Sequence, residues 1–82
     1  MDNFFYSKTV YMELLAKNRT DGLIANEIIE NYLDVNYYAA IMALRRLQIN
    51  GDARRTKIGR SHRYWISQRG LSKLEYMLGK EE

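Results

Sequence analysis

Residues 33–51 read LDVNYYAAIMALRRLQING, and residues 53–67, one position further on, read ARRTKIGRSHRYWIS. In the first stretch Asp34-Val35-Asn36 is a tight turn. Asn36 is a good helix N-cap, because its short side chain can accept from the unpaired N–H groups of a first helical turn. Tyr37, Ala40, Ile41, Leu44, Leu47 and Gln48 then fall on one side of a helix from Tyr37 to about Asn50. Gly51 stands where a left-handed closing residue is expected, since glycine takes positive φ without a Cβ penalty. In the second stretch the period changes. Residues 53–58 and 62–67 read as two strands, the second with Tyr64 and Ile66 on one face, and Gly59-Arg60-Ser61 reads as the loop of a β-hairpin.

Working outward, Ala25 to Leu33 is a helix with Ile28, Ile29, Tyr32 and Leu33 apolar and Glu27, Glu30 and Asn31 polar. Leu23-Ile24 before it is a brief strand or a tucked loop, and Asn18 to Gly22 is a turn-rich break. A first helix runs from about Ser7, its expected cap, to Asn18, with Val10, Tyr11, Leu14 and Leu15 forming its apolar face. Downstream, Leu71, Leu74, Met77 and Leu78 mark a short helix from about Arg69 to Leu78. Eighty-two residues hold at most one domain. The order predicts a single α+β domain over residues 1–82: a three-helix core, a two-stranded hairpin wing and a short C-terminal helix, the layout of a winged helix-turn-helix.

Composition narrows the classes. The chain is 46% hydrophobic and 28% charged, enough apolar material to offset the chain entropy lost on folding, so disorder is not expected. It has no cysteine and one histidine, His62, which excludes a disulfide scaffold and thiolate zinc sites and leaves little for any other metal site. No segment approaches the roughly 20 apolar residues of a membrane span. The first residues carry no basic stretch followed by an apolar run, so the cytoplasm is the expected compartment. There is no serine–histidine–acid arrangement, phosphate-binding glycine motif or metal-ligand spacing, so neither an enzyme nor a cofactor is expected.

Four segments carry a resemblance. Leu23-Ile24-Ala25-Asn26-Glu27-Ile28, then Leu33-Asp34-Val35-Asn36, then Ala43-Leu44-Arg45-Arg46-Leu47-Gln48-Ile49-Asn50-Gly51 resemble the winged helix-turn-helix superfamily of bacterial, archaeal and phage regulators. Leu47 to Gly51 is similar to that family's "leucine, three residues, glycine" ending of the recognition helix. Ile66-Ser67-Gln68-Arg69-Gly70-Leu71-Ser72-Lys73-Leu74 resembles the "threonine-x-x-glycine" step after the wing of MarR-like and PadR-like proteins. The resemblance covers roughly residues 8–78 and implies a small transcriptional regulator.

Charge points the same way. Residues 1–44 carry three Lys/Arg and six Asp/Glu, a net 3 − 6 = −3, while residues 45–82 carry ten and four, a net 10 − 4 = +6. Between Arg54 and Arg63 there are five Lys/Arg and no acid. Duplex DNA is a dense line of phosphate charge whose neutralisation releases counterions. Arg54, Arg55, Lys57, Arg60, His62 and Arg63 are therefore the expected wing contacts, with Arg60 at the loop placed for phosphates or a narrow minor groove. The competing reading is a charged edge kept cationic against aggregation. On the helix from Tyr37, the expected outward set is Tyr38, Ala39, Met42, Arg45 and Arg46, with Asn36 at the tip. Arg45 or Arg46 would pair with guanine or clamp phosphate, and Tyr38 would donate to a phosphate or pack on a thymine methyl. Reading helices usually begin with Ser, Thr, Asn, Gln and Arg, whereas this one begins Tyr37-Tyr38-Ala39-Ala40-Ile41-Met42. That departure keeps two alternatives open: a winged-helix adaptor for a protein partner, and an RNA- or single-strand-binding module. Paired half-sites favour a homodimer, for which Phe4, Phe5 and Leu78 are interface candidates.

Overall fold

The computed structural model describes residues 7–80, and the side chains of 7–79. Phe4 and Phe5 lie outside the described residues. The described residues form an α+β fold: α1 (Lys8–Lys17), α2 (Ala25–Asn31), α3 (Tyr37–Ile49), β1 (Ala53–Ile58), β2 (Ser61–Ile66) and α4 (Gln68–Lys80).

Local chemistry sets most boundaries. Asn36 Oδ1 accepts from Ala39 N–H at 2.7 Å and starts α3 as the sequence predicts. At its other end Gly51 has φ +84°, Gly51 N–H donates to the Gln48 carbonyl and Asp52 N–H to the Leu47 carbonyl. That pair of bonds is the Schellman closure. One cap differs from expectation: Ser7 precedes α1 but its side chain makes no capping bond. The start of α2 at Ala25 is as the sequence predicts. There the orphan Ile24 N–H is satisfied from within the helix, by Glu27 Oε1 at 3.0 Å. The end of α2 also comes two residues early. Tyr32 and Leu33 N–H groups both donate to the Ile28 carbonyl, which widens the last turn. Tyr32 leaves the apolar face, stands exposed, and its hydroxyl pairs with the Asn18 side chain.

The hairpin is tighter than expected. Its antiparallel register pairs Ala53 with Ile66, Arg55 with Tyr64, Lys57 with His62 and Ile58 with Ser61. Ser61 therefore belongs to β2, and the loop is only Gly59-Arg60. Positive φ at Gly59 (+63°) and not at Arg60 is the pattern of a type II′ turn, whose twist suits a two-residue hairpin. Leu23 adds a single bridge to the free edge of β2, exchanging hydrogen bonds of 2.9 and 2.8 Å with Tyr64. This is the brief strand that the Leu23-Ile24 pair anticipates.

One apolar cluster joins these elements. Tyr11, Met12 and Leu15 of α1, Ile28 of α2, Ala40, Leu44 and Leu47 of α3, Tyr64 and Ile66 of β2 and Leu74 of α4 are buried in it. Full burial of each larger apolar side chain contributes roughly 1.5–3 kcal/mol before entropy is counted. The hairpin is held to this core at its base, by Ala53, Tyr64 and Ile66, while Arg54 to Ser61 are exposed. Among the described residues no helix is long and apolar enough to cross a membrane.

Candidate functional site

Strand alternation divides the basic residues of the hairpin. Ala53, Arg55, Lys57, His62, Tyr64 and Ile66 share the face that continues the core, and Arg54, Thr56, Arg63 and Trp65 share the other. The six expected wing residues are thus not one cluster. Arg55, Lys57 and the loop residue Arg60 are exposed towards or at the tip. Arg54 lies across the ribbon, beside a hollow of about 330 Å³ that it lines with Arg19, Ile66, Ser67 and Gln68.

Arg63 departs furthest from expectation. Its Nη1 donates to the backbone oxygens of Asp21 and Gly22, each at 3.3 Å, and to Glu27 Oε1 at 3.2 Å. A guanidinium committed to two carbonyls and a carboxylate is an internal tie. It fastens β2 to the turn before α2, and it is withdrawn from the set of contact cations. Trp65, on the same face, does related work: its indole N–H donates to the Thr20 carbonyl at 3.1 Å. The ring lies over Gly22, where an added Cβ would sit 2.8 Å from it and where φ is +69°. His62 is half-buried and borders a cleft of about 40 Å³ with Ile24, Ala25, Asn26, Tyr37, Ile41, Arg60 and Ser61. That volume holds little more than a water molecule, so the hairpin tip almost closes on the starts of α2 and α3.

Along α3 the inward line is Ala40, Leu44 and Leu47, each essentially inaccessible. Opposite it, at spacings of four, three and four, run Tyr38, Met42, Arg45 and Ile49. Tyr38 (71% exposed) and Arg45 face outward as expected, with exposed Arg46 beside them. Met42 is only half-buried, and Asn36 is exposed but its Oδ1 is engaged in the cap. Two expectations are corrected. Ala39 packs against the core and is not an outward residue. Tyr37, expected inward, is 56% exposed, because the first turn of α3 overhangs the core towards the hairpin cleft.

Asp52 is a site residue that composition and periodicity did not single out. It is wholly buried at the junction of α3 and β1. Lys73 Nζ lies 3.0 Å from each carboxylate oxygen and donates to Oδ2, Lys8 Nζ is 3.1 Å from Oδ2, and Arg69 Nε is 3.8 Å from Oδ1. Burial pushes its carboxyl pKa up, but the hydrogen bonds and positive charges of Lys73 and Lys8 outweigh burial and hold it below the ordinary value. Three basic residues are thereby occupied away from the hairpin. The one available signal was that Asp52 is the sole acid between Asp34 and Glu75.

Ser67 completes this junction. Its hydroxyl donates to the Gly51 carbonyl at 2.7 Å and accepts from Gly70 N–H at 2.9 Å, capping α4 and tying it to the end of α3. A Cβ on Gly70 would collide with the Asp52 carbonyl, so Ser67-x-x-Gly70 is a backbone requirement of this contact. Among the described residues no group of three His, Asp or Glu side chains is placed to hold a metal ion. None of Arg45, Arg46, Arg54, Arg55, Lys57 and Arg60 forms an ion pair with a carboxylate of the described residues. Compared with known protein families and with curated proteins, the chain matches none.

Proposed function

We propose that this chain is a winged helix-turn-helix protein that binds duplex DNA sequence-selectively as a transcriptional regulator. In this reading α3 enters the major groove and the hairpin is the wing, resting on the phosphate backbone or the minor groove. The observation that carries it is the exposed set Arg55, Lys57 and Arg60, on a hairpin without a single acid, beside a helix whose solvent side bears Arg45 and Arg46. Exposed cations without a carboxylate partner among the described residues suit a polyanion, and each neutralised phosphate adds a counterion-release term to binding. An edge protected only against strand pairing needs one or two charges of either sign. The wing then sets affinity, and α3 sets register and preference. No metal or cofactor is required, and two copies bind paired half-sites.

A protein-binding adaptor is the second reading. It is favoured by Tyr38 and Ile49, large side chains exposed on the outer line of α3. Competition gel shifts separate the two. Unlabelled duplex, single strand and RNA compete for a labelled duplex at about 50 and 200 mM salt. Duplex should compete best, and affinity should fall steeply with salt. Preference for single strands or RNA, or no binding to any of them, rejects the regulator.

A further inference from the structure

We propose that α3 selects its sites by packing Tyr38 and Met42 on the 5-methyl groups of thymines, with Arg45 supplying the one polar base contact of the line. This rests on the duplex-DNA reading above and names what the helix recognises.

The line opposite the buried Ala40, Leu44 and Leu47 is Tyr38, Met42, Arg45 and Ile49, and three of these four are apolar or aromatic. Tyr38 and Ile49 are 71% and 72% exposed, the most exposed large apolar side chains of a helix on which Tyr37, at 56%, also stands out at the first turn. No Ser, Thr, Asn or Gln occurs on this line, so it offers no side chain for the two-bond contact that reads adenine. In the major groove thymine is the base that presents an apolar group, its C5-methyl. Guanine presents two acceptors, which suits Arg45 alone. An apolar side chain laid against a cytosine amino group would leave that donor without water or partner, so the same line also works against G·C pairs. From Tyr38 to Arg45 the rise is about 10 Å, or three base-pair steps at about 3.4 Å. The flanking cations decide between partners. Arg46 beside the line and Arg55, Lys57 and Arg60 on the neighbouring hairpin complement a duplex and oppose a basic protein surface.

The test starts from a duplex selected out of a randomised pool. Its thymines are replaced one at a time by deoxyuridine, which removes only the methyl group, and Kd is read by fluorescence anisotropy. Each contacted methyl should be worth roughly fourfold in Kd, the equivalent of about 0.8 kcal/mol for one buried methyl-sized group. Tyr38→Ala should abolish the thymine-over-uracil ratio at one position. Arg60→Ala should weaken thymine and uracil duplexes equally and leave every ratio intact. Far-UV circular dichroism of Tyr38→Ala confirms that this exposed position leaves the fold unchanged. Duplex binding with equal affinity for thymine and uracil overturns the inference and leaves the regulator standing. Failure to bind any duplex overturns both. A Tyr38→Ala protein with undiminished affinity on every sequence also overturns it, since the line would then face something other than bases.

Discussion

A carboxylate sealed from solvent with cations at 3.0, 3.1 and 3.8 Å has its charge state fixed by its surroundings. Asp52 joins Lys8 of α1 to Arg69 and Lys73 of α4 at the point where α3 hands over to β1, so its charge bears on three elements together. Its folded pKa is depressed. The stabilisation it contributes is therefore fully present above its unfolded value of about 3.9 and is lost as pH falls through the lower folded value. Asp52→Asn should cost about 2 kcal/mol at pH 7, less than a fully enclosed pair because the lysines are partly hydrated. It should also flatten the loss of stability below about pH 4. Urea titrations of both proteins from pH 7 to pH 2 check this, and parallel curves would remove the electrostatic account. The residue escaped the sequence reading because nothing in a linear string shows that Lys8, 44 positions earlier, and Lys73, 21 positions later, converge on it.

At the scale of elements, the hairpin shows what periodicity can and cannot reveal. Its strands and glycine were legible from the aromatic and β-branched run after Gly59, and α3 from Asn36 and Gly51. The division of its cations was not. Alternation alone puts Arg54 opposite Arg55, but only the fold shows which face meets the body of the protein. The tie of Arg63 to Glu27, 36 residues away, depends on β2 lying beside the start of α2. The three-residue spacing of Tyr37 from Ala40 predicts an inward direction, but it does not tell how far the core extends beneath the first turn. These placements predict opposite behaviour for two arginines of one ribbon. Arg60→Ala should reduce the slope of log K against log salt by about 0.9, one phosphate contact, with stability unchanged. Arg63→Ala should leave that slope as it is and lower the melting temperature, because it releases the turn at Asp21-Gly22. If Arg63→Ala also changes the slope, the internal role assigned to it is wrong.

Over the whole molecule, the principal extents are 39 × 33 × 21 Å. One copy is thus about as long as one turn of duplex, roughly 34–36 Å. A line of three base-pair steps specifies little by itself, so the regulator reading calls for two copies on half-sites about one turn apart. Light scattering of the saturated complex should show two chains of 9.7 kDa per duplex. A single chain at saturation would remove the paired-site arrangement while leaving the groove contact. Of the proposed interface residues, Leu78 is partly exposed on α4, close in sequence to exposed Tyr76.

The two feet of the hairpin are clamped at one spot. Asp52 immediately precedes β1, Ser67 immediately follows β2, and Ser67 N–H donates to the Asp52 carbonyl at 3.1 Å. Beyond Tyr64 the ribbon has no buried residue: Arg63 is tied to Asp21, Gly22 and Glu27, and past it the tip meets the body only across the small cleft with α2 and α3. Bending concentrated in the outer pairs, Lys57 with His62 and Ile58 with Ser61, would let Arg60 follow grooves of different width while α3 stays seated. Adaptation to DNA shape and constancy of base contact would then reside in separate parts of one small chain.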